Sequence, residues 1–147
     1  MRQFLMILAV TIFVIVGALD TTHARDRSGV LKGSDVIGMK VEGTDGKKLG
    51  TIKDLVIDPL DGDVDYAVLD YGGFLGVNDK YFAVPWEALK ISDDRKKALL
   101  NVSKQDLKQA PGFNKKHWPD LSARDQTIVI YEFYGVPLPE EEPKDAK

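Results

Sequence analysis

Short runs of alternating hydrophobic and polar residues, separated by turn-forming residues, fill the middle of the chain. β-branched and aromatic residues recur at a spacing of two over residues 36–41, 50–58, 64–71, 81–84 and 98–102, and we predict a strand in each. The third run is apolar on both faces, which is typical of a strand that is covered on both sides of the sheet. The pattern therefore predicts an all-β domain, built as a small barrel or sandwich.

A short extension follows the predicted barrel region of residues 31–103. Ser103 and Asp106 have the spacing of a capping box, which predicts a short helix that stops before a Pro-Gly pair. Thr127–Tyr134 is rich in β-branched and aromatic residues, so we predict a final strand there. Residues 104–135 are thus expected to form a C-terminal, strand-bearing extension that packs on the barrel.

The two ends of the chain differ from this middle part. A basic start at Arg2, an apolar run over residues 4–19 and small residues before a cleavage point after Ala24 are typical of a secretory signal peptide. We predict that residues 1–24 are removed and that the protein is periplasmic or secreted. The alternative is an uncleaved membrane anchor, although a run of about 16 residues is shorter than the roughly 20 that a spanning helix needs. The charged, proline-rich residues 136–147 are expected to be disordered.

The composition of the chain limits the kinds of molecule that it is expected to bind and the chemistry that it can perform. The chain has 20 lysine and arginine residues against 23 aspartate and glutamate residues, which gives a formal net charge of −3. A nucleic-acid-binding domain would carry a basic excess, so we expect no nucleic-acid partner. The chain has no cysteine, which excludes disulfides, thiol nucleophiles and thiol-linked lipids.

An acidic segment separates the second and third predicted strands. Its four carboxylates belong to Asp58, Asp61, Asp63 and Asp65. Closely spaced carboxylates could hold Ca²⁺, but the spacing D-P-L-D-G-D-V-D lacks the EF-hand frame and its terminal bidentate glutamate. We therefore favour a hairpin turn in which aspartates cap backbone amides, and keep a metal or small-ligand site as the alternative.

A glycine-rich loop follows the third predicted strand and carries apolar side chains that a solvent-facing loop does not need. An exposed apolar loop tip is typical of a partner-binding surface. The alternative is a plug that folds over an open end of the barrel. The candidate partner-binding residues are Gly72, Gly73, Phe74, Leu75 and Val77.

No residue pattern supports catalysis. His117 is the one histidine after the predicted cleavage point. Ser122 and either Asp120 or Asp125 lie too close to it in sequence to be oriented as a triad. The chain has no nucleophile elbow, zinc-protease motif or phosphate-binding glycine loop. We predict a non-enzymatic protein with no cofactor, in which Trp118 packs with Phe113 against the sheet.

Several ordered motifs run along the predicted barrel. They are Gly38-Met39-Lys40-Val41, Asp45-Gly46, Leu49-Gly50-Thr51-Ile52-Lys53-Asp54, the aspartates around Gly62, Tyr66-Ala67-Val68-Leu69 and Phe82-Ala83-Val84-Pro85-Trp86. Together they resemble the PRC-barrel domain family over about residues 31–102. This domain occurs in the H subunit of the photosynthetic reaction centre and in a ribosome-maturation factor, and serves in docking and assembly. The resemblance implies a small PRC-type β-barrel that acts as an interaction module, here as an exported bacterial member.

The predicted partner is another protein, reached through a barrel edge or through the loop of residues 72–77. Open strand edges of a small barrel also allow a homodimer. We expect membrane association only if residues 4–19 remain in place as an anchor.

Overall fold

A computed structural model describes residues 30–72 and 80–140. The predicted signal peptide and four of the five candidate loop residues, Gly73, Phe74, Leu75 and Val77, lie outside the described residues. Within the described part of the chain, no helix has the length and apolar character that crossing a bilayer requires.

Seven strands form one sheet in the order β5-β6-β1-β2-β3-β4-β7. The strands are β1 (Lys40–Glu42), β2 (Lys48–Ile57), β3 (Val64–Asp70), β4 (Lys80–Pro85), β5 (Leu89–Ile91), β6 (Lys97–Leu100) and β7 (Gly112–Asn114). β1 and β6 pair in parallel, and the other neighbours are antiparallel. Four of the five predicted strands are therefore confirmed. The first, predicted over residues 36–41, is wrong over its first half, because Val36 ends a helical turn and the strand begins only at Lys40. β5 and β7 are additional short strands. These two lie at the ends of the order, so pairing among the described residues does not close the sheet into a ring.

In the described part of the chain, three helices accompany the sheet: α1 (Gly33–Val36), α2 (Lys104–Leu107) and α3 (Arg124–Tyr134). A 3₁₀ turn over Trp86–Ala88 follows β4. The hydroxyl of Ser103 accepts a hydrogen bond from the amide of Asp106 at 3.1 Å. This bond satisfies an amide that the first turn of α2 leaves without a backbone partner, so the predicted cap and helix are confirmed.

One hydrophobic core lies against the inner face of the sheet. It includes residues from five strands and from α2, among them Val41, Ile52, Leu69, Phe82, Ala98 and Leu107. A second cluster covers the outer face of β3 and β4, where Tyr66 and Ala83 pack with Leu121, Ile130 and Tyr131. β3 is therefore buried on both faces, as its sequence predicts.

The predicted final strand over Thr127–Tyr134 is wrong, because this segment belongs to helix α3. Thr127, Ile130 and Tyr131 are its buried residues, and their spacing of three and four places them on one face of a helix. Gly135 ends the helix with a φ of +66°, and the amide of the next residue donates to the carbonyl of Tyr131 at 3.2 Å. This is the geometry of a Schellman cap. The extension does contain a strand, but it is the shorter β7.

Helix α3 is fixed on the outer face of the sheet by aromatic packing. The rings of Tyr66 and Tyr131 lie 5.9 Å apart at an interplanar angle of 84°. Beyond the helix, Val136 packs against the same cluster and the carbonyl of Pro139 accepts a hydrogen bond from Arg124 at 3.3 Å. The chain therefore continues along the outer layer up to the last described residues.

Candidate functional site

The acidic turn, residues 58–65, is organised by its own carboxylates. One oxygen of Asp58 accepts the amide of Leu60 at 2.7 Å, and one oxygen of Asp61 accepts the amide of Asp63 at 2.8 Å. Gly62 supplies a φ of +83°, which a residue with a side chain rarely adopts. Among the described residues, no three His, Cys, Asp or Glu side chains are arranged to hold a metal ion. The carboxylates of Asp58 and Asp61 cap backbone amides of the turn, as the sequence predicts.

A groove of about 960 Å³ lies between this turn and the start of α3. Its charged lining consists of Asp58, Asp61, Asp65, Asp120, Arg124 and Glu140. Partial burial raises the pKa of Asp65, and the negative charges of the other turn aspartates raise it further. Burial also raises the pKa of Tyr131, which lines the groove, to about 12. The groove is thus a negatively charged depression bordered by neutral phenols at physiological pH.

We expect Asp65→Asn to raise the melting temperature by about 2 °C at pH 7. Because the pKa of Asp65 is raised on folding, the folded state binds more protons, and stability falls as pH rises through the affected range. The charged carboxylate therefore destabilises the fold at neutral pH. The rise in melting temperature caused by Asp65→Asn should be smaller in acid and in high salt. Thermal unfolding from pH 3 to 8 measures this rise, with the exposed Asp93→Asn as control. A variant less stable than wild type at pH 7 would contradict the assignment.

The residues considered for a catalytic triad do not form one. The hydroxyl of Ser122 donates to Asp120 at 2.6 Å, a bond that lowers the pKa of Asp120 and stabilises the chain just before α3. His117 is exposed and forms an isolated bridge with Asn114. The Ser122 hydroxyl thus donates to the carboxylate and not to His117, so these three residues lack the serine–histidine contact that a triad uses to activate its nucleophile.

An aromatic cluster lies at the opposite end of β3 and β4 from the acidic turn. Tyr81 on β4 pairs with Phe113 on β7, and their rings are 6.0 Å apart. The ring of Trp118 packs 5.3 Å from Phe113 and 6.1 Å from Tyr81. The predicted packing of Trp118 with Phe113 is therefore confirmed, yet 44% of Trp118 remains exposed.

Lysines surround this cluster. Lys115 lies 5.1 Å from the centre of the Tyr81 ring and forms an ion pair with Asp70 at 3.2 Å. Lys116 follows it in sequence and is exposed. Lys80 is also exposed, but it lies on the other face of β4 from Tyr81, because neighbouring side chains of a strand alternate. We call this surface the aromatic–lysine patch and define it by Phe113, Trp118, Lys115 and Lys116. It combines a partly exposed tryptophan with two lysines.

The sequence pattern identified Phe113 and Trp118 but not the lysines beside them. Folding separates the aspartates of the β2–β3 turn from the lysines at the other end of β3 and β4. The one local indication was the run Lys115-Lys116-His117-Trp118, in which cations precede an aromatic residue. Tyr81 joins this run only through the register of β4 with β7, which is not visible in the sequence.

The candidate loop begins next to the patch. The amide of Gly72 donates to Asp70 at 3.0 Å, and Asp70 is the residue that pairs with Lys115. The chain returns at Lys80, the first residue of β4. The described anchor points of the loop therefore adjoin the aromatic–lysine patch, while the acidic turn lies elsewhere.

Comparison with protein families identifies the architecture. The family model of the PRC-barrel domain matches residues 28–107, which is more than half of the 147-residue chain. A search of curated proteins gave no match. Domains of this kind are generally non-catalytic and support a role in protein interaction or assembly. The strand order, the inner core and this match together show that the chain belongs to the PRC-barrel domain family.

Proposed function

We propose that this protein is a non-enzymatic interaction module that docks another protein on its aromatic–lysine patch. The observation that carries the proposal is the position of Trp118, which is held by two aromatic neighbours while 44% of it remains exposed. A tryptophan fixed in this way loses little conformational freedom on binding, and tryptophan is over-represented among the residues that dominate interface energies.

The patch is supported by a rigid base. Tyr81 is buried on β4, and Phe113 is held beside it by the β4–β7 ladder. The ion pair between Lys115 and Asp70 ties the segment after β7 to the end of β3. A preorganised surface of this kind favours docking over catalysis, because it offers shape and charge but no activated nucleophile.

We further propose that the loop of residues 72–77 contributes to the same surface. Gly72 and Lys80 attach it beside the patch, and Phe74 and Leu75 are its bulkiest apolar residues. Phe74→Asp is then expected to weaken partner binding in the same way as a change in the patch, with the circular dichroism spectrum unchanged.

Export remains part of the proposal. The basic start, apolar run and small residues before Ala24 support cleavage after that residue. N-terminal sequencing of the protein recovered from its host is expected to begin at Arg25. Recovery in the membrane fraction of a protein that still begins at Met1 would instead support the uncleaved anchor.

Trp118→Ala tests the docking surface. We expect it to reduce recovery of the partner in affinity capture by about tenfold or more, because it removes the aromatic anchor of the patch. Val129→Ala is the matched control, since Val129 is also an exposed apolar residue but lies on α3. Both variants should keep the wild-type circular dichroism spectrum. Equal recovery of the same proteins by Trp118→Ala and wild type would refute the proposed surface.

A further inference from the structure

We infer that the partner of the aromatic–lysine patch is a second copy of this chain, which inserts Leu60 of its acidic turn against Trp118. The inference rests on the proposed function, because it assigns an occupant to that docking surface. The two copies associate head to tail, because each molecule carries the acidic turn at one end of the β3–β4 pair and the aromatic–lysine patch at the other end.

The two surfaces cannot meet within one molecule. β3 starts at Val64 beside the acidic turn and ends at Asp70 beside the patch. Six residue steps of extended strand span roughly 20 Å. The acidic turn of one molecule can therefore reach the aromatic–lysine patch only on another copy.

The two surfaces match in charge and in apolar content. Leu60 is 92% exposed at the tip of the turn, with the exposed carboxylates of Asp61 and Asp63 next to it. At the other end, Trp118 is partly exposed, and the exposed Lys116 lies two residues before it in the sequence. The inferred contact therefore brings an aliphatic side chain with neighbouring aspartates against an aromatic ring with neighbouring lysines. Such pairing buries apolar area at the centre and places opposite charges at the rim, as protein interfaces commonly do.

The arrangement predicts how assembly behaves. A contact between two unlike surfaces leaves one free surface of each kind on the pair, so further copies can add until a ring closes. Association should depend on concentration, and it should weaken as salt screens the charges at the rim.

Sedimentation velocity of the processed protein isolated from its host tests this inference. We expect the weight-average mass to rise over an about hundredfold increase in concentration at about 0.05 M NaCl, and to fall back at about 0.5 M NaCl. Lys116→Glu and Asp63→Lys should each weaken association by about tenfold or more, because each places like charges opposite one another. Both side chains are exposed, so the melting temperatures should stay close to wild type.

Mixing the two variants identifies the geometry. Lys116→Glu keeps an intact acidic turn and Asp63→Lys keeps an intact patch, so an equimolar mixture should recover association that neither variant shows alone. A patch-to-patch dimer would be lost in Lys116→Glu, kept in Asp63→Lys and not restored by mixing. That result, or a wild-type protein that stays monomeric throughout, would overturn the inference. Loss of a different captured protein in Trp118→Ala, with a monomeric wild type, would leave the proposed docking function standing while removing the second copy as its partner.

Discussion

Gly50→Ala is expected to lower the free energy of unfolding by about 3 kcal/mol. Gly50 lies in β2, where the β3 backbone approaches closely. A methyl group at this position would overlap the carbonyl oxygen of Asp70 and come within 2.9 Å of its carbonyl carbon. Since backbone atoms cannot turn aside as a side chain can, β2 and β3 would have to separate at their junction.

Urea unfolding of Gly50→Ala beside Gly33→Ala measures this cost. Gly33 lies in α1, and a methyl group there would meet no atom within 4 Å. Alanine is also the better helix former, so Gly33→Ala should be neutral or slightly stabilising. A loss below about 1 kcal/mol in Gly50→Ala would mean that the two strands do not approach as closely as described.

Ile130→Ala is expected to lower the free energy of unfolding by about 3 kcal/mol. Ile130 is only 3% exposed and fills the cluster that joins α3 to the outer face of β3 and β4. Removing most of its side chain leaves a cavity beside Tyr66 and Tyr131. The expected signature is a lower denaturation midpoint with an unchanged slope.

Val129→Ala is the matched control for this change and also tests the helix. Val129 is 52% exposed, so its truncation should alter the free energy of unfolding by less than about 0.5 kcal/mol. In a strand, Val129 and Tyr131 would share a face, and burial of one would require burial of the other. A large loss of stability in Val129→Ala would therefore favour the strand over the helix.

The barrel strands were predictable because their pattern and their turns agree. The alternation within β3 predicts that strand, and the Asp-Gly step at residues 45–46 predicts the turn between β1 and β2. Gly46 adopts a positive φ of +69° in that turn, which glycine tolerates without strain. Such local agreement between hydrophobic spacing and turn residues needs no long-range information. The helix cap at Ser103 was predictable because it too depends only on residues that are close in sequence.

Helix α3 was missed because composition was weighed above periodicity. Ile128, Val129 and Ile130 favour strands, but burial follows the spacing of Thr127, Ile130 and Tyr131. Contact with the outer face of the sheet outweighs the modest helix propensity of β-branched residues. Gly135 after the last periodic residue was the available indication of a helix end.

The candidate site was less predictable than the fold, because it depends on pairing between distant segments. Phe113 and Lys115 become neighbours of Tyr81 only when β7 adds to β4, and three-residue strands such as β7 carry little pattern of their own. The acidic turn, whose residues are contiguous, was interpreted correctly as turn chemistry from the sequence alone.

The parallel pairing of β1 with β6 has a consequence for how this chain folds. β1 acquires its second neighbour only when residues 97–99 arrive, more than fifty residues after β1 itself. Long-range pairing of this kind slows folding, because the entropy of closing the intervening loop is lost before the paired strands contribute stability. A chain that emerges from a membrane pore amino terminus first would therefore complete its core only after β6 has crossed, which suits the export route proposed for it.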